Sequence, residues 1–145
     1  MARTVWTIGY EQTTLAQFLA ALTGAGVELV ADVRALPLSR RPGFSKSSLA
    51  ANLAGAGVAY AHFRALGTPP EGRAAARRHD HATLERIYAG QLELPEAMAA
   101  IAQLAEVAGE KRTALLCYER DACTCHRTLL REAALPDFTA IDLVP

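Results

Sequence analysis

The sequence is poor in the features that would settle its class quickly. Neither sign of charge is in excess: Lys plus Arg and Asp plus Glu number 15 each. No global field therefore draws the chain to nucleic acid or to a membrane surface, and any electrostatic function has to be local. No apolar run approaches the roughly 20 residues that cross a bilayer, so membrane partners are not expected. The opening residues, MARTVWTI, lack the long apolar core of a signal peptide and run straight into a strand pattern, which makes a cytoplasmic location the expectation. Cysteine is confined to Cys117, Cys123 and Cys125. An odd number packed into so short a stretch speaks for thiols or ligands and against a disulfide framework.

What is present is the composition of one folded domain. Of 145 residues, 51% are hydrophobic, enough for a single core spanning 1–145 and too few residues for two ordinary domains. Strand patterns fall at Thr4–Ile8, Val27–Val33, Val58–Phe63, Thr113–Cys117 and Phe138–Val144. Between them, Leu15, Phe18, Leu19 and Leu22 share one helical face behind the candidate caps Thr13 and Thr14. Leu49 and Leu53 mark a second helix opened by Ser45. Leu84, Ile87 and Tyr88 mark a short one, Met98, Ile101 and Ala105 a longer one begun near Pro95, and Thr124 can cap a last one through Leu130. The segment LGTPPEGRAAARRHDHA reads as a mobile surface loop. Strands alternating with helices predict an α/β class: a single Rossmann-like three-layer sandwich on a mainly parallel sheet of about five strands.

In such sheets ligands bind beyond the carboxyl ends of the strands, and the polar residues collect at those ends. Tyr10 and Glu11 follow the first strand, Asp32 and Arg34 end the second, His62 and Arg64 the third, and Cys117 and Glu119 the fourth. Cys125, His126 and Arg127 open the helix that follows. Ser39, Arg40, Arg41 and Lys46 join this edge in PLSRRPGFSK, ahead of a helix N-terminus. Arg forks and free helix N–H groups together suit a carboxylate or phosphate. Singly, each residue also fits a solvated or internally paired side chain, and a buried Arg–carboxylate network can fix a fold without any chemistry.

The stretch CYERDACTCHRTLL admits three readings. Zinc would need Cys117, Cys123, Cys125 and His126, but one pair is split by a single residue and Cys125 and His126 are adjacent, which is a poor tetrahedral spacing. A nucleophile is better served by Cys125: in the first helical turn beside Arg127, its thiolate is favoured. Cys117 fits a small buried side chain. An anion loop of the phosphatase or rhodanese kind needs an arginine about six residues after the cysteine, and neither Cys117 nor Cys125 has one. Glu119, His62 and His126 are candidates for proton transfer. Asp32 with Glu119 could hold Mg²⁺, a weak pattern by itself; no cofactor or resident metal is predicted.

Taken together, TIGY, DVR with PLSRRPGFSK, YAHFRALG, and LLCYE followed by CHRTLL resemble the family called domain of unknown function 488, in the right order over nearly the whole chain. The resemblance implies an α/β sandwich and marks Gly9, Tyr10, Asp32, Arg34, Pro37, Ser39, Arg40, Phe44, Lys46, His62, Leu66, Gly67, Cys117, Glu119, Cys125, His126 and Arg127 as recurring positions. It assigns no reaction. Thr68 stands where a glycine is often found, and Asp142 stands in a strand where members commonly have a histidine. The expected function is an enzyme whose strand-end pocket binds an anionic substrate, a nucleotide or another phosphate-containing molecule. Arg34, Arg40, Lys46 and Arg127, with Tyr10 and Ser39, would hold the anion, and Asp32, His62, Glu119, Cys125 or His126 would act on it. The alternative is a non-catalytic nucleotide sensor or nucleic-acid module using the same basic rim and the GRAAARRHDH loop; a redox or metal sensor is the third reading.

Overall fold

A computed structural model describes residues 3–120 and 126–145. The five strands are β1 (Arg3–Gly9), β2 (Leu29–Asp32), β3 (Ala59–His62), β4 (Thr113–Cys117) and β5 (Phe138–Leu143). The helices are α1 (Leu15–Gly24), α2 (Lys46–Gly55), α3 (Pro70–Arg77), α4 (His81–Leu92), α5 (Pro95–Glu110) and α6 (His126–Ala134), with a short 3₁₀ turn at Arg64–Leu66. The strands form one sheet in the order β3-β2-β4-β1-β5, and every pairing is parallel. The α/β sandwich expected from the alternation of strand and helix patterns is the fold observed.

The two faces of the sheet are covered by different helices. Phe18 and Leu22 of α1 and Leu49 and Leu53 of α2 pack with Trp6, Ile8, Val30 and Leu116 on one face. Tyr88 of α4, Leu104 of α5 and Leu130 of α6 pack with Val5, Ala31 and Leu115 on the other. Alternation along a strand explains the split, since Val5 and Trp6 or Val30 and Ala31 point to opposite sides. β2 and β4 are buried throughout, as expected for strands covered on both faces. Because β4 lies between β1 and β2, and its following helix lies on the opposite face from theirs, the chain parts at their carboxyl ends and leaves a crevice.

Local signals explain most helix starts. Thr14 accepts from the Gln17 amide while the Gln17 side chain accepts from the Thr14 amide, a reciprocal cap for α1. Ser45 occupies the N-cap position of α2, yet its hydroxyl bonds the backbone of Ser39 at 3.0 and 3.1 Å and closes the preceding loop. The segment expected to be a mobile loop is largely helical: Pro70 opens α3 and Asp80 caps α4 through the Thr83 amide. Proline at the first helical position pre-sets the backbone, and an alanine run carries the helix on. His79, in the left-handed region at φ 59°, separates the two helices.

Two glycines allow the close approaches that shape the crevice. A Cβ on Gly9 would stand 1.7 Å from the Glu119 carbonyl oxygen, and one on Gly67 would stand 2.3 Å from the Ala35 nitrogen. The first contact seats the segment after β4 on the end of β1, and the second seats the 3₁₀ turn on the segment after β2. Gly9→Ala is expected to destabilise the fold by about 3 kcal/mol or more through overpacking against backbone. Gly90→Ala, in α4 with nothing within 4 Å of the added carbon, should stabilise it by about 0.5–1 kcal/mol. Urea unfolding of both variants checks the pair; equal effects would contradict the packing described.

Candidate functional site

Beyond the carboxyl ends of β1, β2 and β4 lies a cleft of about 840 Å³. Tyr10 and Glu11 enter it from β1, Arg34 and the segment to Arg41 from β2, and Cys117, Tyr118 and Glu119 from β4. The far wall is built by Thr68, by Arg73, Ala76 and Arg77 of α3, and by Leu84 of α4, with His126 at the start of α6. The crevice volume lies within the range of roughly 300–1,000 Å³ typical of small-molecule sites.

Its floor is a closed polar network. Asp32 is fully buried and Arg34 is 5% exposed. Arg34 donates from Nε to Asp32 Oδ1 at 2.8 Å and from Nη2 to Oδ2 at 2.7 Å. The Arg34 amide adds a bond to Oδ1 at 3.1 Å, and the Tyr60 hydroxyl adds one to Oδ2 at 2.6 Å. All four acceptor positions of the carboxylate are thus filled. Arg34 Nη1 reaches the Phe44 carbonyl at 2.7 Å and the Tyr10 hydroxyl at 3.3 Å, with the guanidinium carbon 5.3 Å from the Tyr10 ring centre. Burial alone would lower the Arg34 pKa, but Asp32 and then Tyr10 together outweigh it and hold it above its ordinary value. Burial, then the bond to Asp32, raises the Tyr60 phenol. Removing one partner of such a buried pair costs about 3–5 kcal/mol, because the other is left uncompensated.

The residues singled out in the sequence therefore separate. Tyr10, Arg34, Ser39, Arg40, Glu119 and His126 line the cleft. Asp32 lies beneath it, and neither Asp32 nor Glu119 takes part in any group of three or more His, Cys, Asp or Glu side chains among the described residues that could hold a metal ion. His62 donates from Nε2 to the Arg34 carbonyl at 2.8 Å and steadies the segment behind the cleft. Lys46 is exposed at the start of α2, outside the cleft lining. Arg127 is fully buried, and its Nη2 donates to the Glu119 carbonyl at 2.6 Å, bracing the chain after β4. Cys125 and Cys123 fall outside the described residues. Cys117 is buried yet lines the cleft, its thiol donating to Glu119 Oε2 at 3.4 Å. Asp142 accepts from the Thr7 hydroxyl on the far side of β1 and does not line the cleft.

Arg73, Arg77 and His79 belong to the segment that the sequence presents as a surface loop, and the structure brings them to the cleft; Tyr118 has no role in the sequence reading. The signal was present: Arg73, Ala76 and Arg77 stand at i, i+3 and i+4, one face of a helix. Arg41 and Arg73 are each anchored by one bond, to the Thr13 carbonyl at 2.7 Å and the Thr68 carbonyl at 3.0 Å.

His126 is held by a 2.8 Å bond between Nε2 and the Val33 carbonyl and by edge contact with Tyr88. Burial, reinforced by the Arg127 charge, pushes its pKa down to about 4 against the opposing pull of that carbonyl and of Asp32. The imidazole is neutral at pH 7, a hydrogen-bonding member of the wall.

Among the described residues no helix is long and apolar enough to cross a membrane. The family model for the domain of unknown function DUF488 matches residues 14–134. No curated protein and no solved structure matches the chain.

The His126 shift has a definite sign. Between pH 6.5 and about 4 the unfolded chain binds a proton at His126 that the folded protein refuses, so stability rises with pH across that window and is lost as pH falls. Thermal unfolding at pH 7 and pH 5 should show a larger loss in the native protein than in His126→Gln; parallel losses would contradict a buried neutral imidazole.

Proposed function

The chain belongs to the DUF488 family, and we propose that it is an enzyme that binds a phosphate-bearing small molecule in the strand-end cleft. The observation that carries this reading is a local imbalance of charge in a chain that has none overall. Among the described residues, Arg40, Arg41, Arg73 and Arg77 line the cleft in addition to the neutralised Arg34, against two carboxylates, Glu11 and Glu119. Arginine forks match phosphate oxygens, and cations facing a low-dielectric wall act more strongly than on an open surface. Arg41 and Arg73 are tethered at one end, so less freedom is lost when they close on an anion.

The division of labour follows from burial. Asp32 and Arg34 shape the floor, Arg40, Arg41, Arg73 and Arg77 hold the anion, and His126 offers a neutral hydrogen-bonding group. Glu119, in the cleft and beside the Cys117 thiol, is the group placed to exchange a proton with a bound substrate. The carboxylates of Asp32 and Glu119 are not a cation site in this reading, because every acceptor position of Asp32 is taken.

Calorimetric titration with pyrophosphate tests the anion site. Binding that weakens as salt rises is expected, and Arg40→Ala or Arg77→Ala, both at exposed positions, should each lower affinity about tenfold, the scale of a lost charged hydrogen bond. Lys46→Ala should change it by less than about twofold. No heat of binding at low salt, or equal losses in all three variants, would overturn the reading.

A further inference from the structure

Resting on the anion-binding reading of the cleft, we propose that the cleft has a second subsite, a platform of Tyr118 with Leu36 and Leu38, that stacks a planar base, so that its ligand is a nucleotide. Among the described residues, three of the seven large apolar side chains exposed to water line this one cleft: Leu36 is 53% exposed, Leu38 72% and Tyr118 46%. Single exposed apolar residues are ordinary, but a cluster inside a concave site marks the surface that a ligand covers.

Tyr118 is held as a stacking surface must be. Its carbonyl accepts from the Glu11 amide at 2.9 Å, which continues the strand pairing one step past β4. Its ring meets Tyr10 edge to face, with centroids 5.3 Å apart at 80°. Tyr10 in turn lies flat on Phe44 at 4.7 Å and 11°, and Phe44 meets Phe18 edge to face. The Phe44 carbonyl is tied to Arg34. The ladder runs from the core to the cleft, so the exposed Tyr118 ring rests on fixed neighbours and loses little freedom on contact with a ligand.

The platform and the cations are also adjacent. Leu36 and Leu38 lie on the same segment as Arg40 and Arg41, and Arg41 and Glu11 both lie near enough to Tyr118 to act on its phenol. A ligand with an aromatic plane at one end and a phosphate at the other spans the two subsites; a sugar phosphate uses only one. Stacking of a base on an aromatic side chain is sequence-tolerant, because every base has a π face, so the inference is to nucleotides as a class.

The test is calorimetric titration with the four ribonucleoside 5′-monophosphates and with ribose 5-phosphate. At least one nucleotide should bind about tenfold or more tightly than ribose 5-phosphate, in keeping with stacking on one aromatic ring. Tyr118→Ala should erase that advantage while leaving ribose 5-phosphate within about twofold, and Tyr118→Phe should keep it. Leu38→Ser, at an exposed position where folding is not at stake, should reduce the advantage severalfold. Equal affinity for ribose 5-phosphate and every nucleotide, or an equal loss for both in Tyr118→Ala, would overturn the platform and leave the anion site standing. Binding of none of the five would overturn the anion reading and the platform with it.

Discussion

The buried pair of Asp32 and Arg34 is the constraint on which the site's shape depends. Two residues apart at the end of β2, they join in a forked ion pair whose remaining bonds reach Tyr10 after β1, Tyr60 in β3 and the Phe44 carbonyl ahead of α2. One ion pair therefore ties together β2, β3, the segment after β1 and the return of the loop at residues 35–45. Two charges out of water are tolerated because every side-chain nitrogen and oxygen of the pair finds a partner. With the floor so closed, the segment carrying Leu36, Leu38, Arg40 and Arg41 is held over it as a wall.

A division between structural and available arginines follows. Arg34 and Arg127 are spent on carbonyls and carboxylate within the fold. Arg40, Arg41, Arg73 and Arg77 line the cleft above them. The buried set keeps the sheet ends in register with the loops, and the outer set supplies the field. Gly9 and Gly67 serve the same end from the backbone, letting the segments after β4 and β3 approach closer than any side chain would permit.

The strands and most helices were legible because their signals are local: β-branched runs, apolar residues at helical spacing, threonine caps, glycine stops. α3 was not, because Pro69-Pro70 and Gly72 read as turn residues, whereas Pro70 is the first residue of a helix and Gly72 makes room for Thr68. That Thr68, standing in place of a common glycine, is buried with its methyl against Gly72 gives the departure a packing context. The convergence of polar residues at one sheet edge was also legible, since it follows from the parallel topology. Which of them face the cleft was not. Burial of Arg127 and Asp32 depends on how loops far apart in sequence cover each strand end, and charged residues are so seldom fully buried that composition points the other way. Lys46 illustrates the converse, a cation in a promising helix start that stands outside the site.

The central claim is that the outer arginines take an anion while the buried pair only shapes the floor. Arginine side-chain Nε–H resonances followed by NMR during titration with ribose 5-phosphate test it most directly. The account predicts that Arg40, Arg41, Arg73 and Arg77 shift in a saturable way while Arg34 and Arg127 stay still. Shifts confined to Arg34 or Arg127, or no saturable shift at any cleft arginine, would contradict it.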